Sequence, residues 1–301
     1  MTGPYASVIV PTYRRDETLV ETVRQLLAQE VDDAFEVIIV DQTPEGSPTT
    51  AAFIAAQGDD RVRIVTTTPP NLPRARNVGT REARGEIVLF IDDDVQLPKG
   101  WLAAHLANFA DACVHAVAGR ITDVRWPGSK GDVVGEFSWY GRDRTNLDYD
   151  KRARIRVGGG GNLSVRKRSY NAIGGFDERF GAGIALREES DFYLRLHARF
   201  GGVIFDPEAR LVHLAVGSGG CRVPRYAQRP EVYRNETLFF LKNFRRVGLP
   251  IFLGITWMKY AVVYPWRNGE LTPRLLVEGT SAMARGTAAG IALTREKTDA
   301  S

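Results

Sequence analysis

Four short apolar runs in the first third of the chain limit the fold more than any other feature. ASVIV, FEVIIV, VRIVTT near Val62–Thr67 and EIVLFI are β-branched and too short for helices, so each reads as a buried strand. Segments of helical period separate them. Asp16 offers an N-cap to a run with Leu19, Val20, Val23, Leu26 and Leu27 at helical spacing. PRARNVGTREARG predicts a helix with proline near its start and Gly85 at its C′ position, and WLAAHLANFAD predicts another. Continuously apolar strands joined by helices predict a mostly parallel sheet with helices on both faces. Ligands of such sheets sit beyond the carboxyl ends of the strands. Pro11–Arg14, Asp41 and Asp92–Asp94 all occupy such ends and are expected to converge.

The middle of the chain changes character. Residues 123–157 are loop-rich and carry Trp126, Trp139 and Tyr140, which read either as a stacking platform for a ligand or as core. VGGGGNLSVRKRSY predicts a glycine run followed by an alternating strand. EESDFYLRLHARFGG predicts a helix with Phe192, Tyr193, Leu196 and Phe200 on one face, and ARLVHL an alternating strand. Beyond about residue 225 the pattern is helical.

The chain has 301 residues, a net charge of +4 and a pI near 9.1. Its arginines are spread rather than clustered, which argues against a nucleic-acid interface and is compatible with acidic substrates. Two distant cysteines, Cys113 and Cys221, form no disulfide framework or zinc spacing and suit a reducing cytoplasm. The first apolar run lacks a basic n-region and reads as a strand rather than a signal peptide.

The run IVLFIDDDV carries the chemistry. In an extended segment Asp92 and Asp94 share a face and Asp93 points away. Two hard oxygen ligands on one side suit Mg²⁺ or Mn²⁺, which also takes substrate phosphates; the plain alternative is a polar turn before Pro98 and Gly100. Asp41 can accept from an imide N–H or a ribose hydroxyl, or can serve as a turn acid. Arg74 and Arg76 near a helix start suit phosphate, or form a solvated face.

These segments, SVIVPTYRR, VIIVDQT, ARNVGTREARGEIVLFIDDDV, GGGGNLSVRKRSYNAIGGFDERFG and EESDFYLRL, resemble in order and spacing the family 2 inverting glycosyltransferases of the GT-A fold. The resemblance covers about residues 6–220. It implies a mixed, mostly parallel α/β sheet in a unit of residues 1–224, with a nucleotide-sugar half (1–122) and an acceptor half (123–224). A helical extension, 225–301, follows. It further implies a nucleotide-diphosphate sugar donor of UDP or dTDP type, since uracil and thymine both present an imide N–H to Asp41. Pro11, Thr12, Tyr13 and Arg14 match the segment lining the nucleoside, Arg76 and Asn77 the segment beside the nucleotide, and Asp92–Asp94 the ribose- and metal-holding acids, with Asp94 as direct ligand. Gly160, Gly161 and Asn162 match the acceptor-side strand, and Gly174–Glu178 a structural turn. The family's general base is the Asp of a Glu-Asp pair opening a helix. Here the pair is Glu188-Glu189, a departure that makes Glu189 the expected base and Asp191 the second candidate; Asp191 otherwise forms an i,i+4 bridge to Arg195. His213 reads either as a third metal or diphosphate ligand, as in some GT-A enzymes, or as a satisfied core histidine. The loop GSGGCRVPR after it could fold over a donor, with Arg222 or Arg225 toward phosphate.

Two rivals stand beside this reading. A haloacid-dehalogenase-type phosphotransferase expects Thr or Val where Gln96 stands, and its motif ends the first strand rather than the fourth. A catalytically inactive sugar-nucleotide or partner-binding module remains open because of the Glu188-Glu189 departure. The acceptor class left open is a glycan, a lipid-linked glycan or a small molecule. Finally, Gly248–Trp266 is the most apolar long stretch, flanked by Lys242, Arg245, Arg246 and Arg267. It reads as an in-plane membrane-surface helix, as a helix packed on the core or across a homodimer, or as a short span interrupted by Pro250, Gly254 and Lys259. A peripheral position on the cytoplasmic face of a membrane is the matching expectation for location.

Overall fold

The computed structural model describes residues 4–125, 134–217, 219–220 and 229–295, so Trp126, Cys221, Arg222 and Arg225 lie outside the described residues. In chain order the first part runs β1 (Ala6–Thr12), α1 (Asp16–Leu27), β2 (Phe35–Asp41), α2 (Pro48–Gln57), β3 (Val62–Thr66), α3 (Leu72–Glu82), β4 (Ile87–Ile91), β5 (Val95–Gln96) and α4 (Trp101–Ala107). The middle follows with β6 (Ala116–Asp123), β7 (Glu136–Phe137), β8 (Asp143–Arg144), β9 (Ala153–Ile155), β10 (Asn162–Arg166), α5 (Lys167–Ala172), α6 (Glu188–Phe200) and β11 (Val203–His213). The last part is helical: α7 (Pro230–Asn243), α8 (Leu249–Trp257), a π-helical stretch (Met258–Val263), α9 (Tyr264–Arg267) and α10 (Pro273–Arg295).

The main sheet has the order β3-β2-β1-β4-β10-β6-β11-β5, with β9 paired to β11. β3, β2, β1 and β4 are mutually parallel, as their unbroken apolar character requires, and β1, β2 and β4 are buried along their whole length. Leu19, Val23 and Leu26 of α1, with Trp101 and Leu102 of α4, cover one face; Ala75 of α3 and Phe192, Tyr193 and Leu196 of α6 cover the other.

Register builds the site. Thr12 lies opposite Asp41, so β1 and β2 end together. Asn162 pairs with Ile91 in the antiparallel β10–β4 ladder, which brings the glycine run to the start of the acid cluster. His213 pairs with Asp123 and with Val95, so the end of β11 arrives beside Asp94. β11 shifts register between Asp206 and Leu211, an irregularity of the kind that re-aims a strand end.

Local details differ from the sequence reading. Asp16 is the first helical residue, with Arg15 in the cap position. Gly85 is no left-handed cap. It is required because a Cβ there would stand 2.7 Å from the β1 backbone at Ala6 and Ser7, to whose Oγ its N–H donates (2.8 Å). β10 does not alternate; all five residues are buried because it sits between β4 and β6.

A polar knot lies under the sheet. Asn162 Oδ1 accepts from Trp101 Nε1 and His105 Nε2 (both 2.8 Å), and its amide donates to the Arg120 and Ala209 carbonyls. Those two donations fix the amide orientation, so His105 carries its proton on Nε2 and Nδ1 accepts from Ser164 Oγ (2.8 Å). Burial pushes the His105 imidazole from 6.5 down to about 4. The folded chain therefore binds fewer protons here than the unfolded one. Stability is fully present above pH 6.5 and declines as the pH falls toward 4, by up to about 3 kcal/mol. A melting-temperature profile should lose this acid limb in His105→Gln; an unchanged limb would refute the assignment.

α10 lies closely on α7 because Gly286 and Gly290 face it. A Cβ at Gly286 would stand 2.1 Å from the Pro230 carbonyl oxygen, and one at Gly290 would stand 2.7 Å from that of Arg234. Phe240 of α7 stacks on Phe252 of α8 (4.8 Å), closing a second core over Phe180.

Candidate active site

A cleft of about 400 Å³ opens at the carboxyl edge of the sheet, lined by Pro11, Thr12, Tyr13, Arg15, Gln42, Asn71, Asp92–Asp94 and His213, together with Gly181, Gly183, Ile184 and Ala185. The three acids divide as alternation predicts. Asp92, Asp94 and His213 each present a ligand atom, all within 4.8 Å of one another. Asp93 turns away and is enclosed, accepting from Thr12 Oγ1 (2.6 Å) and Arg15 Nη1 (2.9 Å). Burial pushes its carboxyl up to about 6 in spite of those partners.

Arg15 also lies 3.0 Å from Asp94 Oδ2 and donates to the Val216 carbonyl, tying the acids to the chain after β11. Asp94 Oδ2 accepts from the Val216 N–H (3.0 Å), while buried Oδ1 has no regular hydrogen bond and lies 3.2 Å from His213 Nε2. Burial works to raise the Asp94 carboxyl, but His213, Arg15 and Val216 hold it below the usual range. The Asp94 carboxylate beside Nε2, helped by Asp123 Oδ2 at Nδ1 (2.9 Å), outweighs burial and pushes the His213 imidazole up to about 9.

A donor set of two carboxylates and an imidazole nitrogen, with ligand atoms all within 4.8 Å of one another, fits Mg²⁺ or Mn²⁺. With a cation bound, the Asp123 carboxylate behind Nδ1 would hold the proton on that nitrogen and leave Nε2 as the donor, the usual support of a ligating histidine.

Deeper in, buried Arg76 bridges two groups. Its guanidinium lies 3.8 Å from Asp92 and 3.3 Å from Glu188 Oε1, and stacks on Phe176 at 5.1 Å. The glycine run passes directly beneath. A Cβ at Gly161 would stand 2.1 Å from Asp92 Oδ2, and one at Gly160 would stand 2.9 Å from the Arg76 guanidinium. Glu188 is buried and its Oε2 has no partner. Burial, then the neighbouring Glu189 charge, pushes its carboxyl well above the usual range, against Arg76. Glu189 beside it is partly exposed.

The helix start that presents this pair is held from outside. Arg187, just before it, is left-handed (φ 70°) and buried, donating to Glu236 of α7 and Asp143 of β8 (both 2.8 Å). Arg187→Ala strands buried Glu236 and should cost about 3–5 kcal/mol, read from denaturant unfolding. Arg187→Gly, which accepts the positive φ, should cost nearly as much. A mild effect in Arg187→Gly alone would place the energy in the backbone instead of the ion pairs.

Several sequence candidates are committed elsewhere. Asn77 uses its amide to bracket the Gly174–Glu178 turn, accepting from Phe176 N (2.9 Å) and donating to the Phe176 carbonyl and Glu178. Asn162 is spent in the polar knot. Asp191 is fully buried between Arg195 (2.8 Å), Lys242 (2.8 Å) and Asn243 (3.1 Å), so its bridging reading is the one realised and it has no oxygen to offer a substrate. Arg74 folds back on the Pro69 carbonyl. Arg14, at φ 53°, points outward to Glu45 and is half-exposed. Asp41 is buried at the end of β2, with Oδ1 accepting from Thr43 N (2.8 Å). Trp139 is 65% exposed and lies outside the cleft, against Tyr140. The sequence reading missed Arg15, Asp123, Arg187 and Glu236. Only the doubled arginine of PTYRR pointed to the first; nothing local pointed to the others.

A family model described as glycosyl transferase family 2 matches residues 7–174. The chain is 26% identical over 211 residues to the succinoglycan biosynthesis protein ExoM of Rhizobium meliloti, a match covering 66% of this chain and 63% of that protein. It is 26% identical over 198 residues to the GalNAc(5)-diNAcBac-PP-undecaprenol beta-1,3-glucosyltransferase of Campylobacter jejuni, covering 64% and 62%. The matches thus span somewhat less than two thirds of these relatives. Among solved structures, the mannosyltransferase PcManGT of Pyrobaculum calidifontis, in complex with GDP-Man and Mn²⁺, superposes with a TM-score of 0.56 at 19% identity, covering 99% of this chain and 80% of that one. GalNAc-T7 with UDP, GalNAc and Mn²⁺ gives 0.62 at 15% identity, covering 88% and 57%. The architecture is that of the GT-A glycosyltransferases.

Proposed function

Because this chain belongs to glycosyl transferase family 2 and is a glycosyltransferase, we propose that it transfers a sugar from a UDP- or dTDP-type donor to an acceptor hydroxyl, inverting the anomeric carbon. The observation that carries this reading is the meeting of Asp92, Asp94 and His213 at one point of the cleft, with the Glu188-Glu189 pair across Arg76. Asp92, Asp94 and His213 would hold Mg²⁺ or Mn²⁺, which when bound neutralises charge on the departing diphosphate. Pro11, Thr12 and Tyr13 border the nucleoside, and Asp41 accepts its imide N–H through Oδ2. Arg15 holds Asp93 and Asp94 in register.

Burial raises the Glu188 carboxyl well above the usual range, so the partly exposed Glu189 beside it is the proposed base. Glu189 removes the proton from the acceptor hydroxyl. The acceptor oxygen forms its bond to the anomeric carbon as the bond to the diphosphate oxygen breaks, its electron pair leaving with the nucleotide on the opposite face. Asp191, engaged by three cationic or amide groups, is not proposed as base.

The relatives support the acceptor class: one is an undecaprenol-linked glucosyltransferase and another a glucosyl-dolichyl phosphate glucuronosyltransferase of Haloferax volcanii, 26% identical over 220 residues. A lipid-linked glycan is the acceptor we favour. The test is a thermal-shift screen of nucleotide sugars with Mn²⁺, followed by turnover of the best binder. Binding with neither transfer nor hydrolysis would favour the inactive binding module that the Glu-Glu pair leaves open. Stabilisation by GDP-sugars alone would overturn the donor assignment.

A further inference from the structure

We propose that the outer face of residues 245–267, joined by the Trp139 turn, is a docking surface for an anionic phospholipid bilayer. The inference is independent of the transfer chemistry. Among the described residues nine large apolar side chains are exposed, and seven of them fall between residues 247 and 277. An eighth, Trp139, sits on the turn whose Tyr140 backbone packs beside Gly248.

The segment is two-sided. Phe252, Thr256 and Tyr260, four residues apart, are buried, and the Tyr260 hydroxyl donates to Glu236 (3.1 Å). Val247, Ile251 and Met258 recur at helical spacing on the opposite side and face outward, followed by Trp266 at 68% exposure. Arg246–Arg267 is long and apolar enough to cross a membrane, yet one side is seated on α7 through Phe252 and Tyr260. A segment held to the protein along one side can lie in an interface without crossing it.

Charge selects the partner. Arg245, Arg246, Lys259 and Arg267 are exposed, and the stretch 245–267 contains no acid. None of the four forms a salt bridge among the described residues. Anionic headgroups complement such a face, with tryptophan and tyrosine at the headgroup level. A second copy related by a twofold axis would oppose the same cations to one another, which disfavours a homodimer through this face.

The full chain should co-sediment with vesicles of phosphatidylcholine containing phosphatidylglycerol and much less with phosphatidylcholine alone. Arg245→Glu with Arg246→Glu should weaken this at least about tenfold, and Trp139→Ser with Trp266→Ser should weaken it at any salt concentration. All four positions are exposed, so melting temperatures should be unchanged. Equal partition into both vesicle types, or none, overturns the proposal. So does a dimer in light scattering that Trp266→Ser dissolves, which would make the face a subunit contact.

Discussion

Asp94→Asn is expected to reduce turnover about a thousandfold or more, the loss of several kcal/mol of charge stabilisation at the leaving group. The substitution keeps the side chain's shape and its acceptance of the Val216 N–H, so the link between β4 and the end of β11 survives. What it removes is the charge on Oδ1, the buried oxygen facing His213. Mn²⁺ binding, followed by electron paramagnetic resonance without any sugar, should fall in parallel. Asp93→Asn provides the contrast. Its carboxyl faces Thr12 and Arg15, so the variant should lose stability more than cation affinity. If Asp94→Asn binds Mn²⁺ as the unmodified protein does, the ligand assignment fails.

Glu189→Gln is expected to lower kcat by about a hundred- to ten-thousandfold, the range for removing a positioned general base, with KM and the donor-induced thermal shift little changed. Glu188→Gln should be far milder. Burial and the adjacent Glu189 charge raise the Glu188 carboxyl well above the usual range, and glutamine keeps the shape of the side chain that faces Arg76. The two variants therefore separate by orders of magnitude if the second glutamate is the base. Equal losses would make the pair act as one unit, and a severe loss only in Glu188→Gln would move the base one residue earlier.

Much of this site was legible in particular residues. IVLFIDDDV at the fourth strand end pointed to a cluster of carboxylates that meets His213, and the extended backbone of that segment separated Asp93 from its neighbours. Glu188-Glu189 was legible as a pair opening a helix. Three candidates are engaged in the fold for one reason: a polar residue of the right type at the right spacing need not face a ligand. Asn77, Asn162 and Asp191 instead meet the hydrogen-bonding needs of buried turns, strands and helix contacts. A buried polar group without a partner is costly, so a fold consumes such residues wherever chain segments meet, and a linear pattern carries no record of where that is.

The sequence by itself determined the parallel half of the sheet, the strand ends at which the cleft opens and the division among the three aspartates. Each follows from periodicities of two and 3.6 residues that are local to the chain. Only the tertiary structure decided that Arg15 rather than Arg14 reaches the acids, because a left-handed backbone at Arg14 turns that side chain outward. It alone decided that Asp123 stands behind His213 and that Glu236 of the C-terminal helices holds Arg187 just before the Glu188-Glu189 pair. Those contacts join residues 90 and 49 positions apart, and strand register and helix packing, which bring them within hydrogen-bond reach, exist only in the folded chain.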